Sequence, residues 1–105
     1  MRLYGLKTCD SCRKALKALP EVEYVDVRKE GVPADLMARA IAAFGPKMVN
    51  KSSATWRGLD AAEREASVQD LMAAHPTLMK RPLIEAGDEL YLGWGPDTRA
   101  ALGVD

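Results

Sequence analysis

The sequence predicts an α/β fold in which a β-α-β-α part and a β-β-α part are separated by an all-helical stretch. Three observations predict it. A strand, a helix and a second strand follow one another between Leu3 and Val27. Apolar residues then recur at helical spacing as far as His75. Finally, two short β-prone runs flank a glycine-containing turn from Leu83 to Leu92.

Leu3-Tyr4-Gly5-Leu6 is a short apolar run, and its length together with Gly5 favours a buried strand over a helix. From Cys12 the pattern changes, with Cys12, Ala15, Leu16 and Leu19 on one helical face until Pro20 ends it. Tyr24-Val25-Asp26-Val27 reads as a second strand, parallel to the first across the intervening helix. Pro33 suits the first turn of the next helix, whose stripe is Leu36, Met37, Ala40, Ile41 and Phe44 before Gly45-Pro46 stops it. Residues 47–59 are mixed, with Ser52-Ser53 and Gly58 as breakers around a short helix at Trp56. Asp60 and Glu63 resemble a capping box ahead of Val68, Leu71 and Met72. Leu83-Ile84-Glu85 and Leu90-Tyr91-Leu92 flank Ala86-Gly87-Asp88-Glu89 as an antiparallel hairpin. After the turn Gly93-Trp94-Gly95-Pro96, Asp97 is placed to cap a final helix through Leu102.

A chain of 105 residues is the length of a single domain, 1–105. Folding at this size buries roughly 65% of the unfolded surface, enough for a core without disulfide staples. Fifteen basic against 15 acidic side chains give a net charge of +0, which disfavours a dedicated nucleic-acid binder. Two cysteines are too few for a stapled secreted scaffold. No apolar run approaches the ~18 residues of a membrane span. The start, Met1 to Lys7, regains charge before a signal-peptide core can form. The expectation is a soluble, cytoplasmic domain.

Cys9-Asp10-Ser11-Cys12 follows a strand and opens a helix, a placement suited to redox chemistry. The thiolate is the reactive form, and a free thiol with pKa ~8.5 is only about 3% ionised at pH 7. Unpaired amides at a helix start stabilise the anion. Cys9, at the loop-helix junction, is the expected nucleophile. Cys12, one turn further on the apolar face, is either the resolving thiol or core. Two unrelated thiols, or a zinc site shared between two chains, are the competing explanations; one chain offers only these cysteines and the distant His75. Arg2, Lys7, Arg13, Lys14 and Lys17 stand against Asp10 alone in the first 20 residues, a basic patch that favours an anionic substrate. His75, before Pro76, reads as structural, and Trp56 and Trp94 as core aromatics or cleft walls. Taken alone, the Arg81-Pro82 bond has about a 5% chance of being cis.

Four separated motifs carry a resemblance: residues 8–15 around Cys9-Asp10-Ser11-Cys12, Asn50-Lys51-Ser52-Ser53-Ala54-Thr55-Trp56-Arg57-Gly58-Leu59, Lys80-Arg81-Pro82-Leu83-Ile84, and Leu92-Gly93-Trp94. In that order, and over nearly the whole chain, they resemble the arsenate reductase-like family (ArsC/Spx/YffB), closest to its short YffB-type branch. The resemblance implies a thioredoxin-like (glutaredoxin-type) four-stranded mixed sheet, with residues 46–78 as a helical insertion. It implies a cis Arg81-Pro82 bond facing Cys9. It assigns Cys9, Cys12 and Arg81 to catalysis, and Lys7, Thr8, Arg13, Asn50, Lys51, Pro82 and Trp94 to substrate binding, with no metal. Arg81 matches an arginine that holds an oxyanion and supports the thiolate in arsenate reductases. That site's two further arginines fall near Asn50 and Gly93, where this chain has none, and losing charge-assisted contacts disfavours arsenate.

The expected function is a glutathione-dependent thiol-disulfide reductase, with glutathione or glutaredoxin as reducing partner and no permanently bound cofactor. The alternatives are glutaredoxin-coupled arsenate reduction and an Spx-like redox sensor that binds RNA polymerase.

Overall fold

The computed structural model describes residues 1–104. These divide into two compact units, residues 1–30 with 81–104 in the first and residues 31–80 in the second.

The first unit is built on a four-stranded mixed sheet: β1 (Arg2–Gly5), β2 (Glu23–Asp26), β3 (Leu83–Ala86) and β4 (Glu89–Leu92), in spatial order β2-β1-β3-β4. β1 and β2 run parallel across helix α1 (Asp10–Ala18), whereas β3 is antiparallel to both β1 and β4. The register aligns Tyr24, Leu3, Ile84 and Tyr91 in one row across the sheet. Leu3 and Ile84 from that row join Ala15 and Leu19 of the α1 segment in a buried cluster, with Leu16, Trp94 and Leu102 packed against it. The neighbouring row, Val25, Tyr4, Leu83 and Leu92, points to the opposite face by the alternation of side chains along a strand. Central β1 is buried along Leu3, Tyr4 and Gly5, which explains its continuous apolar character.

The hairpin turn is tighter than the sequence suggests: Ala86 pairs with Glu89, leaving only Gly87 and Asp88 in the turn. Gly87 takes φ +62°, at the first of two turn positions, where glycine carries no steric penalty. The last helix, α6 (Pro96–Ala101), begins two residues earlier than expected. Gly95 is its N-cap and Pro96 occupies the first helical position, where a missing N–H costs nothing. Asp97 therefore lies inside the first turn and is not the cap.

The second unit is helical: α2 (Ala34–Phe44), α3 (Ala54–Arg57), α4 (Ala61–Arg64) and α5 (Val68–Ala74), with 3₁₀ turns at Gly45–Met48 and Pro76–Leu78. It begins well before residue 46, because α2 belongs to it. Pro33 is the N-cap of α2, one position outside the expected first turn. Ser53, Asp60 and Ser67 each accept a backbone N–H at the start of a helix, and Asp60 with Glu63 completes the capping box in both directions. His75 caps the end of α5, with Nε2 3.9 Å from Glu63. Buried Leu36, Ala40, Met48, Leu71, Met72 and Leu78 supply the apolar filling. Among the described residues no helix is long and apolar enough to cross a membrane.

Ile84 is fully buried in the row shared by β1 and β3. Its truncation to alanine is expected to cost about 2–5 kcal/mol, the range for such core deletions, read as a lower urea midpoint with an unchanged slope.

Candidate active site

β1 ends at Gly5, and the chain turns through Leu6, Lys7 and Thr8 into α1. The Cys9 amide donates to the Leu6 carbonyl at 3.1 Å, closing that turn, and the Arg13 amide donates to the Cys9 carbonyl at 3.0 Å, opening the helix. Cys9 is thereby the N-cap of α1, with φ −86° and ψ 124°. That position lies at the helix start, whose unpaired amides favour a negative charge. The usual side-chain capping bond is not closed. The amide of Cys12 nevertheless bears on the Cys9 sulfur and favours its anion.

The sheet brings the second part of the site to the same place. Because β3 is antiparallel to β1 and Leu83 pairs with Tyr4, the residues entering β3 lie at the end of β1 from which the Cys9 loop departs. Those residues are Arg81 and Pro82, joined by a cis peptide bond as the resemblance implied. Pro82 is buried, and its carbonyl accepts the Gly93 amide at 2.8 Å. The positive charge of Arg81 bears on the Cys9 sulfur and favours its anion.

These neighbours set the two thiols apart. Partial burial, the largest single influence, pushes the Cys9 thiol up. The Cys12 amide, the Cys12 thiol and Arg81 together outweigh it and hold Cys9 below the ordinary thiol value. Cys12 is fully buried, and that burial first, then the adjacent Cys9, push its thiol up to about 12. Both are free thiols.

The structure thus joins Cys9, Cys12 and Arg81. Other expected site residues have different settings. Lys7 places Nζ 5.2 Å from the centre of the Tyr24 ring, and its carbonyl accepts weakly from Arg13 at 3.4 Å. Thr8 is exposed in the loop. Arg13 and Lys14 both turn to Asp10, at 3.5 and 3.2 Å, so much of the helix's basic charge is matched locally. Trp94 packs on the Leu3–Ile84 core. Asn50 and Lys51 belong to the second unit: Asn50 Oδ1 accepts the Ser52 amide at 3.1 Å, and Lys51 lies 5.6 Å from the Trp56 ring. No group of three metal-ligating side chains converges among the described residues.

Sequence reasoning missed the part played by Gly5. A Cβ built there would lie 2.5 Å from the Cys12 sulfur, so the strand has to be bare at this point. A glycine inside an apolar strand is the signal, since it often marks close approach by another group.

A four-stranded mixed sheet, a cysteine starting the first helix and a cis-proline entering the third strand together make this a thioredoxin-like protein. The chain belongs to the ArsC family, whose model matches residues 4–102. An uncharacterized protein of Haemophilus influenzae is 35% identical over 101 residues, covering 88% of this chain and 89% of that one. Among solved structures, a YffB protein superposes with a TM-score of 0.84 at 32% identity, over 95% of this chain and 96% of that one. An arsenate reductase (ArsC) related protein from Brucella melitensis does so with a TM-score of 0.71 at 28% identity, over 95% and 91%. Both the family and these neighbours support a thiol-based, arsenate reductase-like role.

Arg81→Met removes a donor and a positive charge from beside Cys9. It is expected to move the onset of iodoacetamide alkylation at Cys9 to higher pH and slow the reaction at pH 6.5 by about three- to tenfold. Cys12 has the opposite linkage to stability. Its folded-state proton is held up to about 12, whereas the unfolded thiol releases it near about 8.5, so stability falls as pH rises between those values. Urea midpoints measured from pH 8.5 to 11 are expected to decline less steeply in Cys12→Ala than in the wild type.

Proposed function

We propose that this protein is a glutathione-dependent thiol-disulfide reductase with Cys9 as nucleophile. The observation that carries the proposal is a half-buried thiol at the start of α1, held below its ordinary pKa beside Arg81. The Cys9 thiolate attacks the sulfur that glutathione shares with a substrate, R–S–S–G. A Cys9–glutathione disulfide forms, and the substrate leaves as R–S⁻, which takes up a proton. A second glutathione thiolate attacks that disulfide at the glutathione sulfur, releasing oxidised glutathione and restoring the Cys9 thiolate. The substrate sulfur is reduced, and two glutathionyl groups leave joined. Exposed Lys7, in the loop before Cys9, is a cation available for a glutathione carboxylate. Such chemistry suits the reducing cytoplasm.

Arsenate reduction is the second reading, favoured by the likeness to an arsenate reductase-related structure. Against it stands the charge inventory, since Asn50 and Gly93 occupy the places where the resemblance implies two further oxyanion-holding arginines.

A coupled assay separates the two readings. With a glutathionylated peptide, glutathione and glutathione reductase, turnover is expected in the wild type and loss of at least about a hundredfold in Cys9→Ser, as befits removal of a nucleophile. Activity that survives Cys9→Ser would defeat the assignment. Turnover of arsenate with glutathione and glutaredoxin, but none of the peptide, would favour the second reading.

A further inference from the structure

The second unit holds a group of cations for which the thiol exchange has no use. Lys51 Nζ stands over the half-buried Trp56 ring of α3 at 5.6 Å, and the Arg64 guanidinium stands over the same ring at 5.3 Å. Arg64 Nε and Nη2 donate to the Trp56 carbonyl at 3.3 and 3.2 Å, and Nη2 reaches the Arg57 carbonyl at 3.4 Å. Arg57 Nη1 donates to the Ser52 carbonyl at 2.6 Å. Lys51, Arg57 and Arg64 are all exposed. They take part in none of the ion pairs among the described residues.

We propose that Lys51, Arg57 and Arg64 form a docking surface for an acidic polypeptide segment, with Trp56 holding two of them in place. The proposal goes beyond the thiol exchange and does not depend on it.

Part of the arrangement serves the fold, since Arg64 satisfies carbonyls at the end of a four-residue helix. Helix capping does not account for Lys51, which meets the ring and no carbonyl. Nor does it use up the arginines, because a guanidinium carries five N–H donors and Arg64 Nη1 donates to no described group. Cations already held by a ring or a carbonyl have less freedom to lose when an anion binds. The carboxylates between Arg57 and Arg64 in sequence are engaged elsewhere: Asp60 and Glu63 accept each other's amides, and Glu63 lies 3.9 Å from His75. Three cations then stand against exposed Glu65 at the end of α4, and the surface keeps a positive excess.

The same observations select the partner. Lys51 and Arg64 stand where a nucleobase would stack on Trp56, and a chain of net charge +0 lacks the broad basic field that a phosphate backbone needs. Each exposed contact is weak alone, so a ligand must offer several negative groups at once. Carboxylates spaced along a flexible polypeptide can meet three separately held cations.

The test reads fluorescence anisotropy of a labelled glutamate-rich peptide added to the full chain. Saturable binding is expected at low salt, weakened at least about tenfold at high salt. Lys51→Gln, Arg57→Gln and Arg64→Gln are each expected to weaken it about two- to fivefold, the range for exposed ion pairs. Lys51→Arg keeps the charge and is expected to bind like the wild type; should the arginine variants not fold, the two Lys51 variants decide. Trp56→Leu leaves every charge in place and is expected to cost about two- to fivefold, with Trp56→Phe recovering most of it. Lys17→Gln removes an exposed cation of the first unit and is expected to change nothing.

Equal binding of a glutamine-for-glutamate peptide would overturn the proposal. So would a Lys17→Gln loss as large as that of Lys51→Gln, or tighter binding of a single-stranded RNA of matched length. Failure of the thiol exchange reads differently, since Cys9→Ser is expected to bind the peptide as the wild type does.

Discussion

Partial burial at Cys9 works against the anion that its chemistry requires, and the first unit is arranged so that its neighbours offset that cost. The helix start supplies backbone amides, Cys12 supplies a thiol and Arg81 supplies a full charge. None of these groups is near Cys9 by accident of sequence. The central position of β1 joins them, with α1 leaving from its end and β3 entering beside it in antiparallel register. The cis bond before Leu83 stands at that same entry. Fold and site are therefore one construction, and disturbing the pairing of β1 with β3 disturbs the thiol.

Electrostatics in this region is decided by proximity and burial. The first 20 residues carry five cations, yet Arg13 and Lys14 are matched by Asp10 on the exposed face of α1. Pairs so open to water contribute little. Arg81 is half-buried and is the cation whose charge reaches the Cys9 sulfur. Counting basic residues near a motif overstates the field at the sulfur. The position of one guanidinium relative to the sheet matters more.

Much of this was legible in the sequence for identifiable reasons. The stripe of Cys12, Ala15, Leu16 and Leu19 marked the buried face of α1, because a 3.6-residue period leaves few other ways to hide those side chains. Asp60 and Glu63 announced a helix start, since the same two side chains satisfy amides reciprocally. The turn at Gly87 was placed but drawn too wide, because the ladder continues to Ala86 and Glu89 and only pairing reveals that. Pro96 displaced Asp97 as the expected start of α6, a competition between two good initiators that local preference cannot rank. The cis bond at Arg81-Pro82 followed from family resemblance alone. The crowding of Gly5 by Cys12 was out of reach, because it joins a strand to a helix through space.

The strand order also determines what the sheet can offer to other chains. Within the first unit β2 and β4 are its outer members, and each is only four residues long. Carboxylates stand along them, Glu23 and Asp26 on one and Glu89 on the other. Short borders bearing charged side chains make poor templates for a neighbouring backbone. The protein thereby carries its own safeguard against growing into a ribbon, at borders separate from the half-buried Cys9.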